Sequence, residues 1–200
     1  MGLYIKQFFI KKPYPLFKKI IFTVKNFKYM NSNSESNYCD EKKFTEFFLS
    51  NSSLLHNYIF YKCGNTNLAN DIVQDAFLKF WDNCKKVIPG KAKSFLFTIA
   101  NNLFLNEYAK SKVALTFKNI PKKNSTHETP EYLLEEKEFG EKLQKALSNL
   151  TEAQRTAFLM NRIDGKKYKE IAEILGISVK AVEKRIHNAL LSLRKEIENI

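Results

Sequence analysis

From Phe44 onward, apolar residues recur at three- and four-residue steps: Phe44, Phe47 and Phe48, then Leu55, Tyr58 and Ile59. That period puts them on one face of a helix. Gly64-Asn65-Thr66-Asn67 interrupts it, with Asn67 the expected N-cap of a second helix reaching about Asn83. Ala69, Ile72, Val73, Ala76, Phe77 and Phe80 share one face of that helix. Pro89-Gly90 marks a loop, and a third helix runs from about Ser94 to Lys110 on a core face of Leu96, Ile99, Ala100 and Leu103. The period breaks over 114–137, where Pro121, Ser125, Thr126, Thr129 and Pro130 gather ahead of a run of acids. It resumes through Phe139, Leu143, Ala146, Leu147 and Leu150, and Thr151-Glu152-Ala153-Gln154 is a capping box for the helix through Met160 and Arg162. Nothing reads as a strand. The pattern predicts an all-α chain of two small helical domains, 40–113 and 138–200, joined by a flexible linker at 114–137. Residues 1–39 form a basic tail and linker, disordered or upstream of the true start.

The stretch from Tyr168 to Leu190 is the most informative. Ile171, Ala172 and Leu175 give a short helix an apolar face, with Ala172 small where a second helix must cross. Gly176 supplies the positive φ of a tight inter-helix turn, Ile177 plugs the corner and Ser178 caps the next helix. Val182, Ile186, Ala189, Leu190 and Leu193 then form a buried stripe, leaving Lys180, Lys184, His187 and Asn188 opposite, flanked by Ala181, Glu183 and Arg185. This is the pattern of a helix-turn-helix whose second helix enters a major groove. A helical hairpin with a solvated charged face is the alternative, but the small, glycine and capping positions all fall in register.

Charge supports a polyanionic partner: the net charge is +12, although an AT-rich genome also produces lysine- and asparagine-rich usage. Cys39, Cys63 and Cys84 are odd in number, far apart and without Cys-x-x-Cys spacing, which argues against a disulfide framework or a zinc site and fits a reducing cytoplasm. His56, His127 and His187 are equally scattered, so no metal and no cofactor are expected. Residues 1–30 carry seven lysines and no acid, broken by Pro13 and Pro15; they fit neither a membrane span nor a signal peptide. A flexible tail, a weak membrane-surface segment and sequence ahead of a true start at Met30 remain open.

The first domain offers two further surfaces. With Ile72, Ala76 and Phe80 inside, Asp71, Gln74, Asp75, Leu78 and Asp82 point the other way, an acidic face with one leucine that phosphates would repel and a basic protein would suit. A merely solvated face is the alternative. On the third helix, Phe97, Asn101, Phe104 and Tyr108 form a second stripe, with aromatics to stack on unpaired bases and amides to bond them, or else a second buried face. The preceding loop, with Lys85, Lys86, Lys91 and Lys93, suits a single strand's backbone.

Asn149-Leu-Thr-Glu-Ala-Gln-Arg155, Asp164-Gly165 and the helix-turn-helix together resemble region 4 of sigma-70 family RNA polymerase sigma factors of the extracytoplasmic-function (ECF) group. Asp71 to Trp81 resembles their region 2 helix, and Lys93 to Lys110 their promoter-opening helix; the wording Lys-Ser-Phe-Leu-Phe-Thr-Ile-Ala-x-Asn is closest to sigma factors abundant in Bacteroidota. The resemblance implies a non-enzymatic, cytoplasmic subunit that gives core RNA polymerase promoter specificity. It implies that Ser178, Lys180, Ala181, Glu183, Lys184, Arg185, His187 and Asn188 meet the −35 element. Lys91, Lys93, Phe97, Asn101, Asn102, Phe104, Tyr108 and Lys110 would meet the −10 element. Asp71, Gln74, Asp75, Leu78 and Asp82 would dock on the polymerase β′ clamp helices, with the β flap as a further contact. An anti-sigma factor is the implied regulator, and no small-molecule substrate is expected. The chain departs from the family where Thr151 replaces a usual Pro, Ala181 a common Thr, Asn101 and Ala109 commonly basic residues, and Asn106 a common Asp. Lys167 stands where Ser or Thr caps the first helix of the motif, so Asp164 or water must cap it, or the helix frays. A free-standing regulator that binds DNA without polymerase is the alternative. A recombinase-like enzyme would need a catalytic cluster that these scattered acids do not form.

Overall fold

The computed structural model describes residues 38–88, 90–111 and 130–198; the side chains of 110–111, 130–139 and 197–198 are outside the description. The basic tail before Tyr38, the linker positions 112–129 and the side chain of Lys110 therefore lie outside the described residues. Seven α-helices cover the described residues: α1 (Glu41–Cys63), α2 (Thr66–Asp82), α3 (Ala92–Ser111), α4 (Pro130–Asn149), α5 (Glu152–Arg162), α6 (Tyr168–Leu175) and α7 (Val179–Glu198), with a 3-10 turn at Cys84–Lys86. None of the described helices is long and apolar enough to cross a membrane.

Local chemistry sets most of the boundaries. Asp40 caps α1 by accepting the Lys43 N–H at 3.0 Å, and Gly64 ends it at φ 65° with its own N–H on Phe60 O. Asn65, not Asn67, caps α2: its side chain accepts the N–H groups of Asn67 and Leu68 at 2.9 and 3.1 Å. Because Gly64 turns the chain in a single residue, the next one is already extended and free to cap. Helix α4 begins at Pro130, inside the polar stretch 114–137. The capping box of α5 forms, Thr151 N–H donating to Gln154 Oε1 and Gln154 N–H to Thr151 Oγ1.

Helices α1 and α2 pack as an antiparallel pair through aromatic rings, Phe47 stacked on Phe80 at 4.8 Å and Phe48 edge-on to Phe77 at 4.7 Å. This pairing returns the chain after α2 to the start of α1. It brings Cys39 and Cys84 together in a disulfide, which corrects the expectation, drawn from their number and spacing, that the cysteines form none. Their separation of 45 residues is the length of one helical hairpin, a proximity that local spacing does not reveal. Helix α3 covers the pair, burying Leu96 and Ala100.

In the second half, α4, α5 and α6 surround α7. The two halves also pack on each other, α5 against α1 and α6 against α3, so that one apolar core runs from Phe44 through Ile171 to Ile186. The two domains joined by a linker thus share a closed arrangement.

Candidate nucleic-acid interface

The α6–α7 unit has the geometry its sequence demands. Gly176 sits at φ 64° with its N–H on Ala172 O, and Ser178 Oγ accepts the Ala181 N–H at 3.2 Å. Val182, Ile186 and Ala189 are buried, while Ile174 joins Ile171 and Ala172 on the inner face of α6. With that stripe inside, Ser178, Lys180, Glu183, Lys184 and His187 are exposed, and Ala181, Arg185 and Asn188 are half-buried at its margins. The first three turns of α7 therefore present lysine, histidine and amide groups, with backbone N–H donors at the first, chemistry suited to phosphates and base edges.

Asp164 does not cap α6. The first N–H of that unit, on Lys167, donates instead to Glu170 Oε2 at 2.8 Å, half of a capping box, while lysine itself has no acceptor to offer. The Asp164 carboxylate has turned the other way, to α1, where Oδ1 accepts Asn57 Nδ2 at 2.7 Å and the Tyr61 hydroxyl at 3.2 Å. Its second oxygen is buried without a hydrogen-bond partner. Burial raises its pKa to about 6, against the opposing pull of the Asn57 and Tyr61 hydrogen bonds and of Lys166.

On α2, Asp71, Asp75 and Asp82 are exposed and Gln74 and Leu78 half-buried, one acidic face about an apolar centre. On α3 the second stripe divides. Phe97 and Phe104 are 1% and 2% exposed, Phe97 against Tyr58 at 5.2 Å, so the bases-stacking expectation is corrected for these two rings. They fill the space between α3 and α1 instead. Asn101 is half-buried, its Oδ1 accepting Lys62 Nζ at 2.9 Å and Tyr58 Oη–H at 3.2 Å. Asn102 and Tyr108 remain exposed, as does Lys91 in the loop. Lys93 is half-buried; burial lowers its pKa, as does nearby Lys166, and Glu170 and Glu173 oppose this. Beside it, Ser94 Oγ donates to Glu173 O at 3.2 Å.

The polar seam between the halves was not visible as such in the sequence. Lys62, 7% exposed, pairs with Glu152 of α5 and lies 5.0 Å from the Phe104 ring centroid. Arg155 is fully buried, and its guanidinium donates to Tyr61 O at 2.8 Å, Lys62 O at 3.3 Å and Leu150 O at 3.2 Å. A cation thus closes the carbonyl ends of α1 and α4 together. The signal for it was register alone: Arg155 stands four residues before Leu159 on the buried face of α5. Among the described residues, no three His, Cys, Asp or Glu side chains gather to hold a metal ion.

The Sigma-70 region 2 family matches residues 47–113, and the Sigma-70, region 4 family matches residues 140–193. RNA polymerase sigma factor YlaC of Bacillus subtilis is 30% identical over 146 residues, 70% of this chain and 84% of that protein. The chain belongs to the sigma-70 family. It is an ECF sigma factor, a non-enzymatic DNA-binding subunit that directs initiation of transcription by RNA polymerase. ECF RNA polymerase sigma factor SigW of Bacillus subtilis is 29% identical over 68% of this chain and 79% of its own length. Two solved structures share the fold. The sigma factor RpoE of Bartonella quintana, solved with its anti-sigma factor NepR, superposes at TM-score 0.57 and 22% identity over 78% of this chain and 98% of that one. CnrH, solved with the cytosolic domain of CnrY, superposes at TM-score 0.57 and 21% identity over 82% and 94%.

Proposed function

We propose that this sigma factor reads a −35 element with the exposed start of α7 and a −10 element with α3 and the loop before it, while α2 docks on core polymerase. The observation that carries the reading is the partition of charge. The face of α7 left by the Val182–Ile186–Ala189 stripe is basic, and that of α2 is acidic, as DNA and a basic protein surface respectively require. Lys180, Lys184, His187 and Asn188 are the upstream contacts, with Ser178, Ala181, Glu183 and Arg185 beside them. Lys91, Lys93, Asn101, Asn102, Tyr108 and Lys110 are the downstream contacts, with Phe97 and Phe104 shaping α3 from within. Asp71, Gln74, Asp75, Leu78 and Asp82 meet the polymerase β′ clamp helices, and the region 4 domain meets the β flap. The functional units are 40–113 and 138–200.

Ser94 bonds Glu173 of α6 and Lys93 lies near α6 residues, so the closed arrangement covers part of the proposed −10 surface. The active form therefore has its two regions apart. RpoE was solved with an anti-sigma factor and CnrH with the cytosolic domain of CnrY, which supports an anti-sigma partner here, acting in the cytoplasm. A Bacteroidota-like lineage rests on the wording of residues 93–102 alone. The test is reconstitution: purified chain and core polymerase should initiate at specific promoters in a genomic library, and the Lys184→Ala chain should initiate less. Duplex binding by the chain alone, with no initiation in the presence of core, would refute the proposal in favour of a free-standing regulator.

A further inference from the structure

The disulfide has a position that a purely structural staple would not need. Cys39 is the residue before the Asp40 cap of α1, and Cys84 opens the 3-10 turn after α2, two residues beyond Asp82 of the acidic face. From that turn the chain passes through Lys85, Lys86 and Lys91 into α3, so the bond anchors the root of the cationic loop. Both sulfur-bearing residues are half-buried and within reach of a small reagent, whereas Cys63 is buried between α1 and α2 with its thiol pKa raised by burial. The segment is also held by packing: the Tyr38 ring meets Phe47 at 5.1 Å and Phe80 at 5.8 Å, both edge-on. Those contacts do not depend on the bond. They keep the two cysteines adjacent after reduction, so that reclosure is intramolecular, and the Cα–Cα distance of 5.2 Å suits a bridge without backbone movement.

We propose that Cys39 and Cys84 form a reversible thiol–disulfide exchange site that controls how rigidly the 84–91 loop is held. In a reducing cytoplasm disulfides of this kind are transient and redox-sensing. Oxidation uses a small-molecule disulfide. One cysteine thiolate attacks it and expels a thiolate to form a mixed disulfide; the second cysteine attacks the protein sulfur and expels the other thiolate. Two thiol protons leave the protein and two electrons reduce the oxidant; a small thiol reverses both steps. In the oxidised form the turn is tied to α1. In the reduced form the described backbone bonds of the loop itself remain, Lys86 N–H to Asn83 O, Val87 N–H to Cys84 O and Lys91 N–H to Ile88 O. Resting on the reading of this loop as a cradle for single-stranded DNA, oxidation pre-organises its lysines and tightens binding about threefold to tenfold.

The test uses the full chain equilibrated in glutathione buffers of graded oxidised-to-reduced ratio, then alkylated and mapped by mass. Cys39 and Cys84 should titrate together and reversibly while Cys63 does not respond. Hydrogen exchange at 84–91 should be slower in the oxidised chain, and the Cys39→Ser/Cys84→Ser chain should match the reduced wild type in every buffer. Anisotropy of labelled oligo(dT) at one fixed salt concentration should report the tighter binding. Cysteines that never exchange, or equal amide exchange in both states, overturn the site. Exchange and protection that respond, with oligo(dT) affinity unchanged, uphold the site and remove the loop from the DNA-binding reading.

Discussion

Closure of the two regions should depend on pH through Asp164. In the closed form its carboxyl is buried against Asn57 and Tyr61 with a pKa of about 6, against an ordinary value of 3.8 when region 4 swings away and water returns. The closed form therefore binds more protons than the open form at every pH between those values. Closure is strengthened as pH falls through about 6, fully so below 3.8, and weakened as pH rises above 6. The whole effect is 6 minus 3.8, or 2.2 pKa units, about 3 kcal/mol. Between about pH 7.5 and about pH 5 the linkage gives about 1.4 kcal/mol, a tenfold change in the closed-to-open ratio. Small-angle scattering of the free chain across that range should show the compact fraction growing on acidification. Asp164→Asn keeps an acceptor for Asn57 and Tyr61 and carries no charge, so it should remain compact near neutral pH without that slope. A wild-type chain that opens on acidification, or an Asp164→Asn chain with the wild-type slope, refutes the reasoning.

Four other outcomes follow from the same geometry. Arg155→Met removes donors to the ends of α1 and α4 and should lower stability by about 3–5 kcal/mol in urea, with Arg155→Lys rescuing little because an ammonium lacks the guanidinium fork. Reducing Cys39–Cys84 frees a 45-residue loop and should lower the stability of the α1–α3 unit by up to about 4 kcal/mol, read as a fall in Tm on adding a thiol. Lys184→Ala should weaken −35 duplex binding and reduce the salt slope by about one counterion; an unchanged slope removes Lys184 from the contacts. Asp75→Lys with Leu78→Ala should weaken core binding while circular dichroism stays native, and undiminished binding removes α2 as the docking face.

Helix order, the paired stripe of α7 and the α5 capping box were legible in the sequence because each is set by residues within one or two turns. Helix ends were less so. Asn65 rather than Asn67 caps α2 because Gly64 completes its turn in one residue, a conformation the letters Gly-Asn-Thr-Asn permit but do not require. What stayed hidden was non-local. Cys39 meets Cys84 only once α1 and α2 pair, and Asp164 looks like a helix cap until Asn57 and Tyr61 approach from the other half of the chain. The Phe97–Phe104 stripe was ambiguous for a different reason. An aromatic face on a helix has the same spacing whether it awaits a base or a neighbouring helix, and only the position of Tyr58 and Lys62 decides between them.

That ambiguity also bears on how the sigma factor is controlled. Lys62 bonds Asn101, one of the proposed −10 contacts, and pairs with Glu152 of region 4, so one buried ammonium joins α3 to the region 4 domain. Ser94 and Lys93 lie against α6 in the same way. A ligand that needs Lys93 free binds the open form better, and any such difference in affinity shifts the closed–open balance by the same factor. On the proposed reading of Lys93, promoter DNA therefore pulls open what Asp164, Lys62 and Arg155 hold closed. A partner that grips both regions at once acts in the opposite sense without covering every DNA contact itself, because the seam already covers Lys93 of the proposed −10 face.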